Sequence, residues 1–146
     1  MADFFTQFSC PFDVGSAENA RRAEDIRGEL AAELHREEGG YLGFEMQVDH
    51  EHGPGALWLY SDEYGEPEHV ITFVLRCAEA LGLQGVWGFT WSHSCSKPRI
   101  DAFGGGAHVI DLGKRETIAD LDCSSWVLER MSNPMPVTPA GREVTP

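Results

Sequence analysis

The 146-residue chain predicts a single α+β domain, an antiparallel sheet with its helices on one face. Three observations predict it. Several stretches place an apolar residue at every second position, as a strand with one buried face does. Two longer stretches place apolar residues three and four apart, as a half-buried helix does. The breaks between them fall on Gly, Pro and Asp, residues that favour turns.

Residues 4–12 alternate, with Phe4, Thr6, Phe8, Cys10 and Phe12 on one side and Phe5, Gln7 and Ser9 on the other. They predict a first strand, ended by Asp13 and Gly15. Ser16 offers a helix N-cap. Over 17–38 the residues Ala23, Ile26, Leu30 and Leu34 form one apolar stripe, and Gly39-Gly40 provides the stop. Residues 42–50 alternate again, Phe44, Met46 and Val48 against Glu45, Gln47 and Asp49. His52-Gly53-Pro54-Gly55 supplies a turn, and 56–61 returns as a hairpin partner.

Pro67 suits the first turn of a helix. Val70, Phe73, Val74, Cys77 and Leu81 form its stripe, and Gly82 ends it. Residues 85–93 then make a fourth strand, with Trp87, Phe89, Trp91 and His93 on one face. The order strand-helix-strand-strand-helix-strand is that of the ferredoxin-like split motif, four antiparallel strands with two helices on one face. Beyond it, Gly104-Gly105-Gly106 reads as a tight or mobile connection and 107–112 as an extra C-terminal strand. Residues 117–122 fit neither period. A short helix capped by Ser124 or Ser125 is expected to reach Met131, burying Trp126 and either Leu128 or Val127. The single domain is expected to span 1–132, with 133–146 a flexible Pro-rich tail.

Charge narrows the function. There are 11 Lys and Arg against 24 Asp and Glu, a formal net charge of -13. From Glu37 to Leu75 there is no Lys or Arg, while nine acids occur. Such a surface repels phosphate, so direct nucleic-acid binding is not expected. A basic protein partner fits, because long-range fields steer association. No apolar run approaches the length of a membrane span, and the acidic start MADFFTQFSC lacks the basic region of a secretory signal. A cytoplasmic protein with four free thiols, Cys10, Cys77, Cys95 and Cys123, is expected. No membrane partner is expected.

Three clusters bear on chemistry. Glu45, Asp49, Glu51, Asp62 and Glu63, with Trp58, Tyr60 and Trp91 as aromatic anchors, form a candidate interaction surface. For the face carrying Trp87, Phe89 and Trp91, burial is favoured over an interface. His93, Cys95 and His108 are candidate zinc ligands, the alternative to a protein without a cofactor; their spacing departs from that of structural zinc sites. A Cys95–His93 or Cys95–His108 nucleophile pair is less favoured. Asp49-His50-Glu51-His52 would split its ligands between two faces of a strand, so it reads as a polar turn. The Gly triplet has neither a following Lys-Ser/Thr nor a helix, so it does not read as a phosphate loop.

FSCPFDVGSAENARRA, GFTWSHSCSKPRIDAFGGGAHVIDL and SSWVLERM resemble segments of small proteins carried on plasmids, prophages and integrated elements of alphaproteobacteria. The resemblance covers about residues 8–130 and implies a neighbourhood of anti-defence genes, with no catalytic motif. The resulting expectation is an acidic, non-enzymatic interaction protein of a mobile element that binds a basic host or defence protein, inhibition being one consequence. A small metal- or thiol-dependent enzyme centred on His93, Cys95 and His108 is the alternative. A homo-oligomer built on exposed strand edges is also compatible.

Overall fold

The computed structural model describes residues 2–134. Its elements are β1 (Phe4–Asp13), α1 (Ala17–Glu38), β2 (Glu45–Val48), β3 (Ala56–Ser61), α2 (Pro67–Leu81), β4 (Val86–Cys95), β5 (Gly104–Asp111), β6 (Glu116–Asp122) and α3 (Cys123–Ser132). The α+β class is as expected. The six strands form one antiparallel sheet in the order β2-β3-β1-β4-β5-β6.

Local chemistry sets the element ends. Ser16 accepts a hydrogen bond from the Asn19 backbone N–H, and Gly39 closes α1 in the left-handed region. Gly82 does the same for α2, which Pro67 opens. Both helices lie over one face of the sheet. Phe8, Cys10 and Phe12 of β1, Leu57 and Leu59 of β3, and Phe89 of β4 meet Ala20, Ala23 and Leu30 of α1 and Val70, Phe73, Val74 and Cys77 of α2. Phe73 ties the layers together, with its ring centroid 6.1 Å from Phe12 and 5.3 Å from Phe44. The Trp87, Phe89 and Trp91 row of β4 belongs to this core, as burial favoured.

β1 bridges the two halves of the sheet. It pairs with β3 over Phe8–Asp13 and with β4 over Phe4–Gln7. Pro11, which has no N–H to donate, lies beyond the β4 pairing. Its carbonyl accepts instead from the Trp87 indole Nε1 at 2.8 Å.

Five expectations need correction. Strand β2 is only four residues long, because residues 50–52 coil into a 3-10 turn. Asp49–His52 form a polar turn, as expected. The Gly triplet is not a connection but the start of β5. A Cβ on Gly106 would collide with the Trp91 ring and the Leu121 carbonyl, so glycine is what lets the indole lie against the strand. Residues 117–122, which fit neither period, belong to β6, so two strands and not one extend the sheet beyond β4. A bulge between Val109 and Ile110 in the β5–β6 pairing explains the missing period.

The last helix is capped by Asp122, which accepts from Ser125 N at 2.9 Å, and not by Ser124 or Ser125. It buries none of its residues: Trp126, Val127 and Leu128 are all exposed. The expected tail falls largely from residue 135 onward, outside the described residues. Among the described residues no helix is long and apolar enough to cross a membrane.

Candidate functional site

With both helices on one side, the other face of the sheet is left open. Gln7, Ser9, Pro11 and Asp13 of β1, Glu45 and Gln47 of β2, Trp58 of β3, and Val86, Thr90 and Ser92 of β4 are exposed. Alternation along each strand produces this face directly, since the intervening residues go to the core.

An aromatic pair stands on the face. The Trp58 and Tyr60 rings stack with centroids 3.9 Å apart and planes at 21°. They are two residues apart on β3, so their side chains leave the same side. Polar neighbours fix both rings. Trp58 Nε1 donates to Ser9 Oγ at 2.8 Å, and Gln47 Nε2 donates to the Tyr60 hydroxyl at 2.9 Å. Rings held this way lose little entropy when a partner covers them.

Acids flank the pair at both ends. Glu45 lies directly across from Tyr60 and shares a cleft with Asp62 and Glu63. At the opposite end Asp13 and Asp49 line a second cleft with His52. Asp49 accepts from His52 Nδ1 at 2.6 Å, a contact that the 3-10 turn makes by bringing residues three apart to one side. Glu51 sits exposed in the same turn. Arg27 is 3.8 Å from Glu45 and partly counters it. Asp62 and Glu63 anchor through their backbones, the Asp62 carbonyl taking Gln7 Nε2 and the Glu63 carbonyl taking Thr6 N–H, so their carboxylates are free to face solvent. Among the described residues none of the six strands carries Lys or Arg.

Of the interaction residues expected from sequence, Glu45, Asp62 and Glu63 come together beside Tyr60, and Asp49 and Glu51 lie at the far end of β2. Trp91 does not join them. It packs against the core on the opposite face, 5.2 Å from Phe89 between ring centroids. Asp13, Ser9 and Gln47 were not singled out from sequence. The alternation of β1 and β2 carried the signal, but it took the β1–β3 pairing to bring Ser9 and Asp13 beside Trp58.

The candidate zinc ligands are scattered. His93 lies across from Gly104 and His108 across from Phe89, four residues apart along β4, or about 13 Å. Cys95 is two residues further still, beyond the end of the β4–β5 pairing, about 20 Å from the His108 row. Each imidazole has a hydroxyl partner instead, Thr6 Oγ1 on His93 Nδ1 at 2.9 Å and Thr117 Oγ1 on His108 Nε2 at 2.8 Å. Among the described residues no group of three His, Cys, Asp or Glu side chains is placed to hold a metal ion. The same separation parts Cys95 from His108 as a nucleophile pair. Cys10 and Cys77 are buried, and burial pushes both thiols up to about 12, far from the thiolate form.

The helical acids are spent differently. Glu33 of α1 takes two hydrogen bonds from the Arg76 guanidinium of α2, at 2.8 and 3.0 Å, which holds its carboxyl below the usual carboxylate range. This pair clamps the two helices together and is not part of the open face. The chain matches no protein-family model, and no curated protein or solved structure matches it.

Proposed function

We propose that the chain is an acidic, non-enzymatic interaction protein whose open sheet face receives a basic protein surface. The observation that carries this reading is the stacked Trp58–Tyr60 pair, pre-ordered on a sheet without Lys or Arg and flanked by Glu45, Asp62 and Glu63 at one end and Asp13 and Asp49 at the other. Aromatic rings supply the desolvated anchor and the acids supply steering and register. Nucleic acid is disfavoured as a direct ligand, because among the described residues the strands of the face carry no Lys or Arg to meet phosphate and Arg27 at its edge is engaged by Glu45. The segment Phe4–Cys95 is read as a ferredoxin-like unit. Its support is the β2-β3-β1-β4 run within the sheet and the two helices on one face, with β5 and β6 added at the β4 edge. The resemblance to proteins of mobile elements supports a target among basic host or defence proteins acting in the cytoplasm.

The test is retention of basic proteins from a bacterial lysate on the immobilised chain, released by a salt gradient and identified by mass spectrometry. A specific basic protein should elute at moderate salt, and Trp58→Ala or the double reversal Glu45→Lys/Asp49→Lys should lose it. Retention indifferent to salt and to both variants would end this reading.

A further inference from the structure

The C-terminal corner of the fold is apolar where it should be covered. Phe103, Trp126, Val127, Leu128 and Met131 are each 46–73 % exposed. Helix α3 rests on the ends of β5 and β6 and buries none of its own residues. Between it and the segment before β5 runs a groove of about 410 Å³ lined by Phe103, Val127, Leu128, Cys123 and Ser124, with Asp101 at its rim. An amphipathic or apolar helix left bare at this scale marks a contact surface.

We propose that this corner is a self-association face, covered by the α3 and groove of a second copy of the chain. Two observations select the occupant. The first is area. The five side chains together expose on the order of 550 Å², enough for the apolar centre of an interface to which each partner contributes roughly 800 Å². The second is charge. Residues 1–95 carry 17 acids against five bases, net -12, whereas residues 96–134 carry six acids against five bases, net -1. Two copies of so acidic a chain repel each other except through this corner. Knob and hole sit on the same element, exposed Trp126 and Met131 next to the groove at Val127 and Leu128. A two-fold axis satisfies both at once, since an isologous contact uses one patch twice. Direct pairing of the two β6 edges is not part of the contact, because Glu116, Asp120 and Asp122 charge that edge and charged edges resist strand addition. The open face with Trp58 lies outside this contact, so a dimer presents two such faces.

Sedimentation velocity and light scattering across a concentration series test the proposal. The full chain should reach twice its monomer mass as concentration rises, and added salt should strengthen the association by screening the remaining repulsion. Trp126→Glu/Leu128→Glu should give a monomer with an unchanged far-UV spectrum and the melting temperature that the parent has when dilute enough to be monomeric, because both side chains are exposed in the monomer. Met131→Glu, a milder change, should weaken dimerisation at least tenfold. Trp58→Ala should leave it intact. A chain that stays monomeric at every concentration overturns the proposal. So does a monomer that dimerises only once residues 135–146 are removed, since the tail would then be the natural cover. Dimerisation untouched by the double variant overturns it as well.

Discussion

The Trp91 indole lies against Gly106 in the space that a side chain on that glycine would fill. The two residues face each other across β4 and β5. This contact turns a Gly-rich stretch into a strand. An alanine at 106 meets an aromatic ring on one side and the Leu121 backbone carbonyl on the other, neither of which yields easily. Gly106→Ala should cost about 1–3 kcal/mol, the usual range for forced overpacking. At Gly104 a new methyl meets only the Ser124 hydroxyl, which can rotate away. Urea denaturation of the two variants should show a clear loss for Gly106→Ala and a much smaller one for Gly104→Ala; equal losses would contradict the packing.

The two faces of the sheet should respond oppositely to truncation. Phe12 is 1 % exposed and packs against Phe73 and Trp87. Phe12→Ala should destabilise by about 3–5 kcal/mol. Trp58 is 39 % exposed on the open face. Its loss should cost far less stability, while weakening binding of the basic partner by about 2 kcal/mol or more, as an anchor does. Chemical denaturation beside calorimetric titration with the captured partner separates the two effects.

Thiol reactivity should follow burial. Cys123 is exposed at the start of α3, and Cys10 and Cys77 are buried with thiols pushed up to about 12. In dilute native solution, where the chain is monomeric, an aromatic disulfide reagent should label Cys123 readily and leave Cys10 and Cys77 untouched. All four should react in denaturant. Rapid native labelling of Cys77 would mean that α2 opens readily.

Acid should loosen the contact between the two long helices. The Arg76 guanidinium lowers the Glu33 carboxyl below its ordinary value. A carboxyl whose folded pKa is depressed contributes stability that is present above its unfolded pKa and is lost as pH falls through the folded one. The pair is partly solvated, so its contribution is screened. Glu33→Gln should therefore lower the melting temperature slightly at neutral pH, and the difference from the parent should close below the ordinary carboxylate range. A difference that widens in acid would reverse the assignment.

Asp122 caps α3 through Ser125 N, and that bond is the largest cause of its lowered carboxyl pKa. Asp122→Ala should cost the helix about 1 kcal/mol. Because α3 buries nothing of its own in the monomer, the loss should show in dilute solution as faster amide exchange across 123–132 with little change in global unfolding. Ser124→Ala should have no such effect.

Much of this protein is local, and the sequence by itself determined that part. The apolar periods placed β1, α1, β3, α2 and β4 and set which side of each is apolar. Ser16, Gly39, Pro67 and Gly82 marked helix ends through backbone chemistry that needs no distant partner. The absence of Lys and Arg from 37 to 75 already made this stretch acidic. Tertiary structure alone decided what depends on strands meeting. The β5–β6 bulge hid β6 from any period. The Trp91 ring explains Gly106 only once β4 and β5 pair. The sequence read Asp49–His52 as a polar turn, and only the coiling of that turn brings His52 onto Asp49. His93 and Cys95 look close to His108 through the intervening loop, yet antiparallel pairing sets His108 about four residues down β4 from His93. Trp91 and Trp58 look alike in sequence, and only the placement of both helices on one face sends the first into the core and leaves the second in water. Periodicity states that a side chain has a preferred side; burial depends on what else in the fold arrives to cover it.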